Sequence, residues 1–363
     1  MFEIVFLIAL IFYFTVLVIF SIGASKKFNR LDGNKLPLAS VIVAARNEEL
    51  NILDCLDSLN KLEYPEGKLE VIIIDDHSTD KTYSIITEFI HDKPIFKVVQ
   101  PAKEIGSLRG KANAIANGIE IASGEIILTT DADCSVSKTW AKTIASYFKD
   151  DVAMVCGYTN QFSKNIFEGA QSIDFIHLLT VAAGTMNLGK PISAIGNNMS
   201  YRKSVYQEVG GYEALEFSVT EDFNLLMAIH KLKKYKIIYP LDIGGLVTSK
   251  PMEDIKSLYW QKKRWSVGGL KSDIAGFSVM LLAYAPQICL LLSPFYFSKE
   301  VLYLIFFKLI IDFTFLKPIH SRLELQFSIK HFLGFQIYYF LYVLIMPPLV
   351  FLNRKVEWKG RKY

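Results

Sequence analysis

The chain has 363 residues, 51% of them hydrophobic, and a formal net charge of +4. It is too apolar for an ordinary soluble enzyme and too polar for a pure bundle of membrane helices. The small net charge and the lack of an aromatic-basic cluster typical of a nucleic-acid module argue against a nucleic-acid-binding protein. Its four cysteines are widely scattered, which argues against structural zinc and fits a reduced cytosolic environment.

Residues 4–24 are almost unbroken apolar sequence, long enough to predict one transmembrane helix at residues 1–25. A cleaved signal peptide is the alternative, but the start of the chain lacks a basic n-region and the apolar run is too long. Lys26, Lys27 and Arg30 follow directly. Since positively charged residues stay on the cytoplasmic side, the domain that follows is predicted to be cytosolic.

Segments typical of strands and of helices alternate at short spacing within residues 38–270. This alternation predicts an α/β domain in which helices cover both faces of a parallel sheet. The domain ends in a segment rich in cations and tryptophan, 259–265, that suits a membrane surface. The predicted elements are, in order, a strand at 40–44, a helix with Ile52, Leu56 and Leu59 on one face, a strand at 70–74, a helix to Ile90, a strand at 96–99, a helix at 110–122, a strand ending at Asp131, a helix at 138–148 and a strand at 152–158.

The strand that ends at Asp131 continues into Ala132 and Asp133. Alternate side chains of a strand share a face, so the two aspartates are expected to project the same way. They follow the carboxyl end of a strand, where open α/β sheets form ligand crevices. Two carboxylates there suit Mg²⁺ or Mn²⁺ that also takes diphosphate oxygens. A solvated turn is the alternative.

Three further positions have side chains suited to a ligand site. The loop after the first strand, with Ala45 and Glu48, lies where a nucleotide base could lodge, or it is an ordinary loop. Lys111 is in the first turn of a helix after a glycine, a natural site for phosphate, although a solvated lysine is the alternative. Asp222 precedes an apolar run and is either a catalytic carboxylate or a helix-capping one.

Taken together, these segments resemble the family 2 glycosyltransferases, which have the GT-A fold, a Rossmann-like mixed sheet with helices on both faces. The resemblance covers residues 38–270, and its last two motifs resemble those of membrane-bound polysaccharide synthases and ceramide-type glucosyltransferases. His77 stands where the family often has glycine, so the turn there is expected to differ slightly. The motifs are Ala45-Arg46-Asn47-Glu48, Asp75-Asp76-His77-Ser78-Thr79-Asp80, Gly110-Lys111-Ala112, Asp131-Ala132-Asp133, Thr220-Glu221-Asp222 and Gln261-Lys262-Lys263-Arg264-Trp265.

The resemblance implies roles for individual residues. Asp222 is expected to be the general base that deprotonates the acceptor hydroxyl. Asp133, with Asp131, is expected to bind the divalent cation. The residues expected to bind the nucleotide sugar, taken to be a UDP-sugar, are Ala45, Glu48, Asp75, Lys111, Asp131 and Arg264. The residues expected on the acceptor side are Asn197, Asn198, Glu221, Gln261 and Trp265, with Glu221 directed away from Asp222.

The expected reaction is an inverting transfer of one sugar to a membrane lipid, which forms a β-glycoside. A lipid acceptor is favoured because only three apolar segments follow the catalytic domain, and because the ending at 358–363 resembles that of ceramide-type glucosyltransferases. The alternatives are a processive β-glycan synthase, transfer to polyprenyl phosphate, and an inactive membrane adaptor. The expected partners are the nucleotide sugar and the lipid, without nucleic acid; protein partners are left open.

The membrane region is predicted to span residues 274–353 and to contain two to three helices, followed by a basic cytosolic tail at 354–363. If all of the apolar segments 274–297, 301–316 and 332–352 crossed, the basic tail would end outside, against the positive-inside rule. One segment is therefore expected to be re-entrant or interfacial, and the first, interrupted by Pro286 and Pro294, is the candidate. The expected location is a bacterial plasma membrane, with several crossings.

Overall fold

The computed structural model describes residues 1–101, 104–106, 108–216, 218, 220–270, 272–358 and 361–362. The predicted tail and the ending at 358–363 lie partly outside these residues. The helices are α1 (Phe2–Ala24), α2 (Ile52–Asn60), α3 (Thr82–Ile90), α4 (Gly110–Ile121), α5 (Trp140–Ser146), α6 (Ile166–Asn187), α7 (Lys203–Glu208), α8 (Glu221–Lys231), α9 (Ile255–Gly269), α10 (Ile274–Leu292), α11 (Lys299–Arg322) and α12 (Ile329–Leu352). The strands are β1 (Ala39–Ala45), β2 (Leu69–Asp75), β3 (Phe96–Val99), β4 (Ile126–Asp131), β5 (Cys134–Val136), β6 (Val152–Cys156), β7 (Thr159–Gln161), β8 (Met199–Arg202), β9 (Lys236–Ile238), β10 (Val247–Ser249), β11 (Glu357–Trp358) and β12 (Arg361–Lys362).

The chain divides into two compact units. The sheet unit comprises Lys26–Asn160 and Ser193–Lys250, and the helix unit comprises Met1–Ser25, Gln161–Ile192 and Pro251–Tyr363. The predicted domain 38–270 therefore contains the sheet unit from residue 38 onward and two stretches of the helix unit. That domain range stays a prediction, because a compact unit is defined by its contacts and not by independent folding.

The main sheet of the sheet unit has the strand order β3-β2-β1-β4-β8-β6-β9. Strands β3, β2, β1 and β4 are mutually parallel, whereas β8 is antiparallel to both of its neighbours, β4 and β6. The sheet is thus mixed, as the GT-A resemblance implies. The alternation of elements alone predicts a purely parallel sheet, and that prediction is wrong. Strand β8 has the sequence Met-Ser-Tyr-Arg, which contains no apolar run to mark it as a buried strand.

Helices cover both faces of this sheet. Val41 and Val43 of β1 belong to one buried apolar cluster together with Leu56 of α2. On the opposite face, α4 packs on β1 and β2. It approaches so closely that a Cβ on Gly118 would lie 2.9 Å from Ile42 Cγ2. Since side chains alternate along a strand, β1 is buried on both sides, and the prediction of helices on both faces is confirmed.

In the helix unit, α1 packs against α6, α10 and α11, and α12 packs against α6, α9 and α10. The backbones of α1 and α6 approach closely, because a Cβ on Gly23 would lie 2.3 Å from Gly184 O. Lys308 and Asp312 of α11 are buried and form an ion pair at 2.8 Å. Tyr13 of α1 donates a hydrogen bond to Asp312 at 2.8 Å, so the buried Asp312 carboxylate contacts both Lys308 and Tyr13.

Among the described residues, three helices are long and apolar enough to cross a membrane: Phe2–Ala24, Ile274–Tyr296 and Ile329–Leu352. Pro286 lies inside α10 without ending that helix. Helix length and composition therefore do not support the expectation that the first C-terminal segment, 274–297, is re-entrant or interfacial. Of α10, α11 and α12, the helix outside this group is α11, in which the buried Lys308–Asp312 pair interrupts the apolar sequence.

Candidate active site

Three residues of the predicted site lie at the carboxyl ends of neighbouring parallel strands. Ala45 ends β1, Asp75 ends β2 and Asp131 ends β4. In the register of the sheet, Ala45 pairs with Asp75, and Ala44 pairs with Asp131. The topology therefore brings these residues to one edge of the sheet, the edge at which open α/β sheets bind ligands.

Two loops at this edge are bonded to each other. Asn47, in the loop after β1, accepts a hydrogen bond through Oδ1 from Thr79 N at 2.8 Å. The Glu48 backbone N–H donates to Thr82 Oγ1 at 2.7 Å, and the Glu48 side chain is buried. Asn47 has φ of +52° and His77 has φ of +54°, both in the left-handed region that glycine adopts without strain. His77 therefore keeps a backbone conformation that a glycine would also adopt.

Asp75 is completely buried at the end of β2. Its Oδ2 atom accepts hydrogen bonds from Gln100 Nε2 at 2.8 Å and from Ser78 N at 3.3 Å. Its Oδ1 atom has no hydrogen-bond partner among the described residues. A buried carboxylate oxygen without a partner is rare and points to a bound group that supplies the donor. The imide or ribose hydroxyl of a nucleotide has that chemistry.

A cluster of one lysine and three carboxylates, called the acid cluster here, brings together three distant parts of the sheet unit. Lys111 Nζ lies 2.5 Å from Asp131 Oδ1 and 3.8 Å from Glu221 Oε1. A Cβ on Gly196 would lie 3.4 Å from both Lys111 Nζ and Asp222 Oδ2. Burial by itself would lower the pKa of Lys111, but the charges of Asp131, Glu221 and Asp222 outweigh it and raise that pKa. Lys111 is therefore cationic at neutral pH.

Asp222 lies in the first turn of α8. Its Oδ2 atom accepts a hydrogen bond from Gly196 N at 2.7 Å, and its Oδ1 atom accepts one from Phe223 N at 2.8 Å. These bonds fix the carboxylate beside the Gly196 loop. Glu221 was expected to be directed away from Asp222, and its carboxylate faces Lys111.

Asn197 and Asn198 lie in the interior of the sheet unit. Asn198 Oδ1 accepts from Trp140 Nε1 at 3.0 Å, while its amide donates to Tyr158 O at 2.7 Å and to Gly245 O at 2.9 Å. Asn197 Oδ1 accepts from Thr159 Oγ1 at 2.9 Å. Both side chains thus hold the short turn Gly196–Asn198, whose first N–H reaches Asp222. Their contact with the acceptor stays a prediction. The scaffold role of Trp140 was missed, because no local pattern links it to Asn198.

The expected metal ligands differ in their local structure. Strand β4 ends at Asp131, and Asp133 lies in the turn before β5, so the alternation of a strand does not extend to Asp133. Burial raises the pKa of the Cys55 thiol, and the charges of Asp133 and Asp131 raise it further, which indicates that both carboxylates lie near one thiol.

Among the described residues, no group of three or more His, Cys, Asp or Glu side chains is arranged to hold a metal ion. The two carboxylates fit Mg²⁺ or Mn²⁺ nonetheless, since these ions commonly take one or two carboxylates and complete their shell with phosphate oxygens and water.

Gln261, Arg264 and Trp265 lie on α9, in the helix unit. Their spacing of three and four residues puts them on one side of the helix. Gln261 is buried, and the Trp265 ring stacks on Phe175 with centroids 5.8 Å apart. Lys262, which follows Gln261 on the same helix, is buried and forms an ion pair with Asp174. The roles of Gln261, Arg264 and Trp265 in binding donor or acceptor stay predictions.

Comparison with known proteins identifies the family. The family model described as glycosyl transferase family group 2 matches residues 126–352, more than half of the chain, and that of glycosyl transferase family 2 matches residues 40–210. The chain belongs to glycosyltransferase family 2. This glycosyltransferase also resembles a mannosyltransferase from Pyrobaculum calidifontis in complex with GDP-Man and Mn²⁺, with a TM-score of 0.61 and 19% identity over 93% of this chain and 99% of the other. That likeness confirms the GT-A fold.

Two kinds of curated relative are similar to this glycosyltransferase in sequence. The beta-monoglucosyldiacylglycerol synthase of Nostoc sp. is 29% identical over 240 residues, which cover 64% of this chain and 49% of that protein. The poly-beta-1,6-N-acetyl-D-glucosamine synthase of Staphylococcus epidermidis is 28% identical over 355 residues, which cover 92% of this chain and 81% of that protein. The chain thus spans about half the length of the first relative and most of the second.

Proposed function

We propose that this glycosyltransferase moves one sugar from a UDP-sugar to a hydroxyl group of a membrane lipid and forms a β-glycoside. The observation that carries the proposal is the acid cluster, in which Lys111, Asp131 and Asp222 meet beside Gly196. A cation for diphosphate and a carboxylate for the acceptor are thereby held close together. Family membership supplies the reaction class.

In this proposal Asp222 is the general base. A carboxylate oxygen can accept more than one hydrogen bond, so Asp222 can bind the acceptor hydroxyl while the Gly196 and Phe223 N–H groups hold it. Asp222 takes the hydroxyl proton as the hydroxyl oxygen bonds to the anomeric carbon. The bond from that carbon to the diphosphate oxygen breaks, and the nucleoside diphosphate leaves. A single displacement inverts the anomeric centre, and most of the rate comes from positioning and charge stabilisation.

The donor side uses the carboxyl edge of the sheet. Asp75 Oδ1, which has no hydrogen-bond partner in the part of the chain that the structure describes, accepts from the base or the ribose. Lys111 pairs with the diphosphate. Asp131 and Asp133 would hold a divalent cation, which would neutralise charge on the departing diphosphate.

The lipid acceptor is supported by the relative in Nostoc, whose name describes a glucosyldiacylglycerol product. It is also supported by the three helices that, in the described part of the chain, are apolar and long enough to cross a membrane. We place the protein in a bacterial plasma membrane, with several crossings and the sheet unit in the cytosol. Lys26 and Lys27, directly after α1, favour that orientation.

A processive β-glycan synthase is the second candidate. One observation favours it: the Staphylococcus epidermidis relative, named for a polysaccharide product, matches 92% of this chain, whereas the Nostoc relative matches 64%. The two candidates share the same chemistry at Asp222 and differ in whether the product is released after one transfer.

A product assay separates the two candidates. Purified protein in detergent receives radiolabelled UDP-sugars one at a time, Mn²⁺ or Mg²⁺, and a membrane lipid extract, with the Asp222→Asn protein as the matched control. We expect label in a small chloroform-soluble lipid, sensitive to a β-glycosidase and absent with the variant. Label in a polymer would move the assignment to the processive synthase. If no UDP-sugar gives a labelled product, the proposed function is wrong.

A further inference from the structure

The Lys111 ammonium is paired with the Asp131 carboxylate, which the proposed function assigns to a metal. Its ammonium lies 2.5 Å from Asp131 Oδ1 and 3.8 Å from Glu221 Oε1. A divalent cation bound to Asp131 would meet this ammonium at close range, where like charges repel strongly. The two cations therefore compete for Asp131.

We propose that Lys111 is a place-holding cation, which neutralises Asp131 in the donor-free protein and releases it to the metal when the diphosphate arrives. This inference rests on the proposed function, because it assumes a metal at Asp131 and Asp133. The exchange needs a mobile cation. The Lys111 side chain is 36% exposed and has a flexible four-carbon stem, so its ammonium can move away from Asp131.

The acid cluster also explains why a cation is needed there before the donor binds. Lys111 Nζ lies 2.5 Å from Asp131 Oδ1 and 3.8 Å from Glu221 Oε1, and a Cβ on Gly196 would lie 3.4 Å from both Lys111 Nζ and Asp222 Oδ2, so three carboxylates lie near one ammonium. Without Lys111, these carboxylates would repel one another and attract a metal more strongly. With the nucleotide bound, the diphosphate offers Lys111 a new anionic partner.

Metal and nucleotide binding are therefore coupled. Without nucleotide, the metal must displace Lys111 from Asp131, and its affinity is reduced. With nucleotide, Lys111 pairs with the diphosphate and the competition ends. Because such coupling is reciprocal, the metal raises nucleotide affinity by the same factor. The sheet unit would thus take up its metal together with the donor.

The test is the Mn²⁺ affinity of the purified full chain in detergent, measured from the electron paramagnetic resonance signal of free Mn²⁺, with and without UDP. Without UDP, we expect Lys111→Met to bind Mn²⁺ about 10-fold more tightly than the wild type, the scale on which groups around a metal's ligands change affinity. The gain on adding UDP should shrink in that variant. Lys111→Arg, which keeps the charge, should behave as the wild type without UDP.

Lys236→Met is the matched control, because it removes the same charge from an exposed ion pair with Asp151. It should bind Mn²⁺ as the wild type does. Lys111→Gln replaces Lys111→Met if the latter elutes as aggregate in size-exclusion chromatography. The proposal is overturned if removing the Lys111 charge leaves Mn²⁺ affinity unchanged or lowers it.

Asp131→Asn and Asp133→Asn separate this failure from that of the proposed metal site. If these variants weaken Mn²⁺ binding but removal of the Lys111 charge does not strengthen it, only the place-holding role is wrong. If they leave Mn²⁺ binding unchanged, the metal site of the proposed function is wrong as well.

Discussion

The side chains of Asp222 and Lys111 are held in place by groups far away in the sequence. Asp222 is held by the Gly196 N–H, and Lys111 is held by Asp131 and Glu221. The sequence could identify these residues, because each lies at a strand end or at a helix start within a recognisable motif. It could not predict how they pair, since a bond between residues 20 or more positions apart leaves no local pattern.

Asn47 offers a prediction at this scale. Its φ is +52° and its side chain accepts from Thr79 N, so Asn47→Ala loses the bond and strains the backbone. Asn47→Gly loses the same bond without that strain. We expect the alanine variant to unfold more easily than the glycine variant, by about 1 kcal/mol, in thermal unfolding in detergent. Equal stability of the two variants would show that the backbone conformation at Asn47 is not strained.

At the scale of elements, the apolar runs of β1, β2 and β4 and the amphipathic α2 were predictable, because a buried strand and a one-faced helix each leave a period in the sequence. Strand β8 was not, since its sequence has no apolar run. Asp131 and Asp133 were expected to project the same way as alternate residues of one strand. Strand β4 ends at Asp131, so the alternation does not reach Asp133. Such boundaries depend on sheet pairing that sequence alone does not reveal.

The contact of α1 with α6 gives a prediction at this scale. A Cβ on Gly184 would lie 2.5 Å from Phe20 O, so an added methyl group must push two backbones apart. We expect Gly184→Ala to cost about 1–3 kcal/mol, a typical penalty for overpacking, and to lower the midpoint of thermal unfolding in detergent.

Gly33→Ala is the control for that substitution, since a Cβ there would meet no atom within 4 Å. An unchanged midpoint for Gly184→Ala would contradict the close approach of the two helices.

At the scale of the whole molecule, composition placed apolar helices near both ends of the chain and an α/β domain between them. What composition could not reveal is that the compact units interleave along the chain. Gln161–Ile192 and Pro251–Tyr363 join Met1–Ser25 in the helix unit, although sheet-unit sequence separates them. Family membership and fold follow from the comparisons. The comparisons do not identify the acceptor, because one relative is named for a glycolipid product and another for a polysaccharide product.

The most direct test of the central claim, that Asp222 is the base of this glycosyltransferase, compares UDP binding with single-turnover transfer in Asp222→Asn. UDP affinity should stay at the wild-type value, while the transfer rate falls about 10²–10⁴-fold, the usual contribution of a general base. Glu221→Gln, which changes the neighbouring carboxylate, should lose far less. A transfer rate in Asp222→Asn equal to that of the wild type would contradict the account.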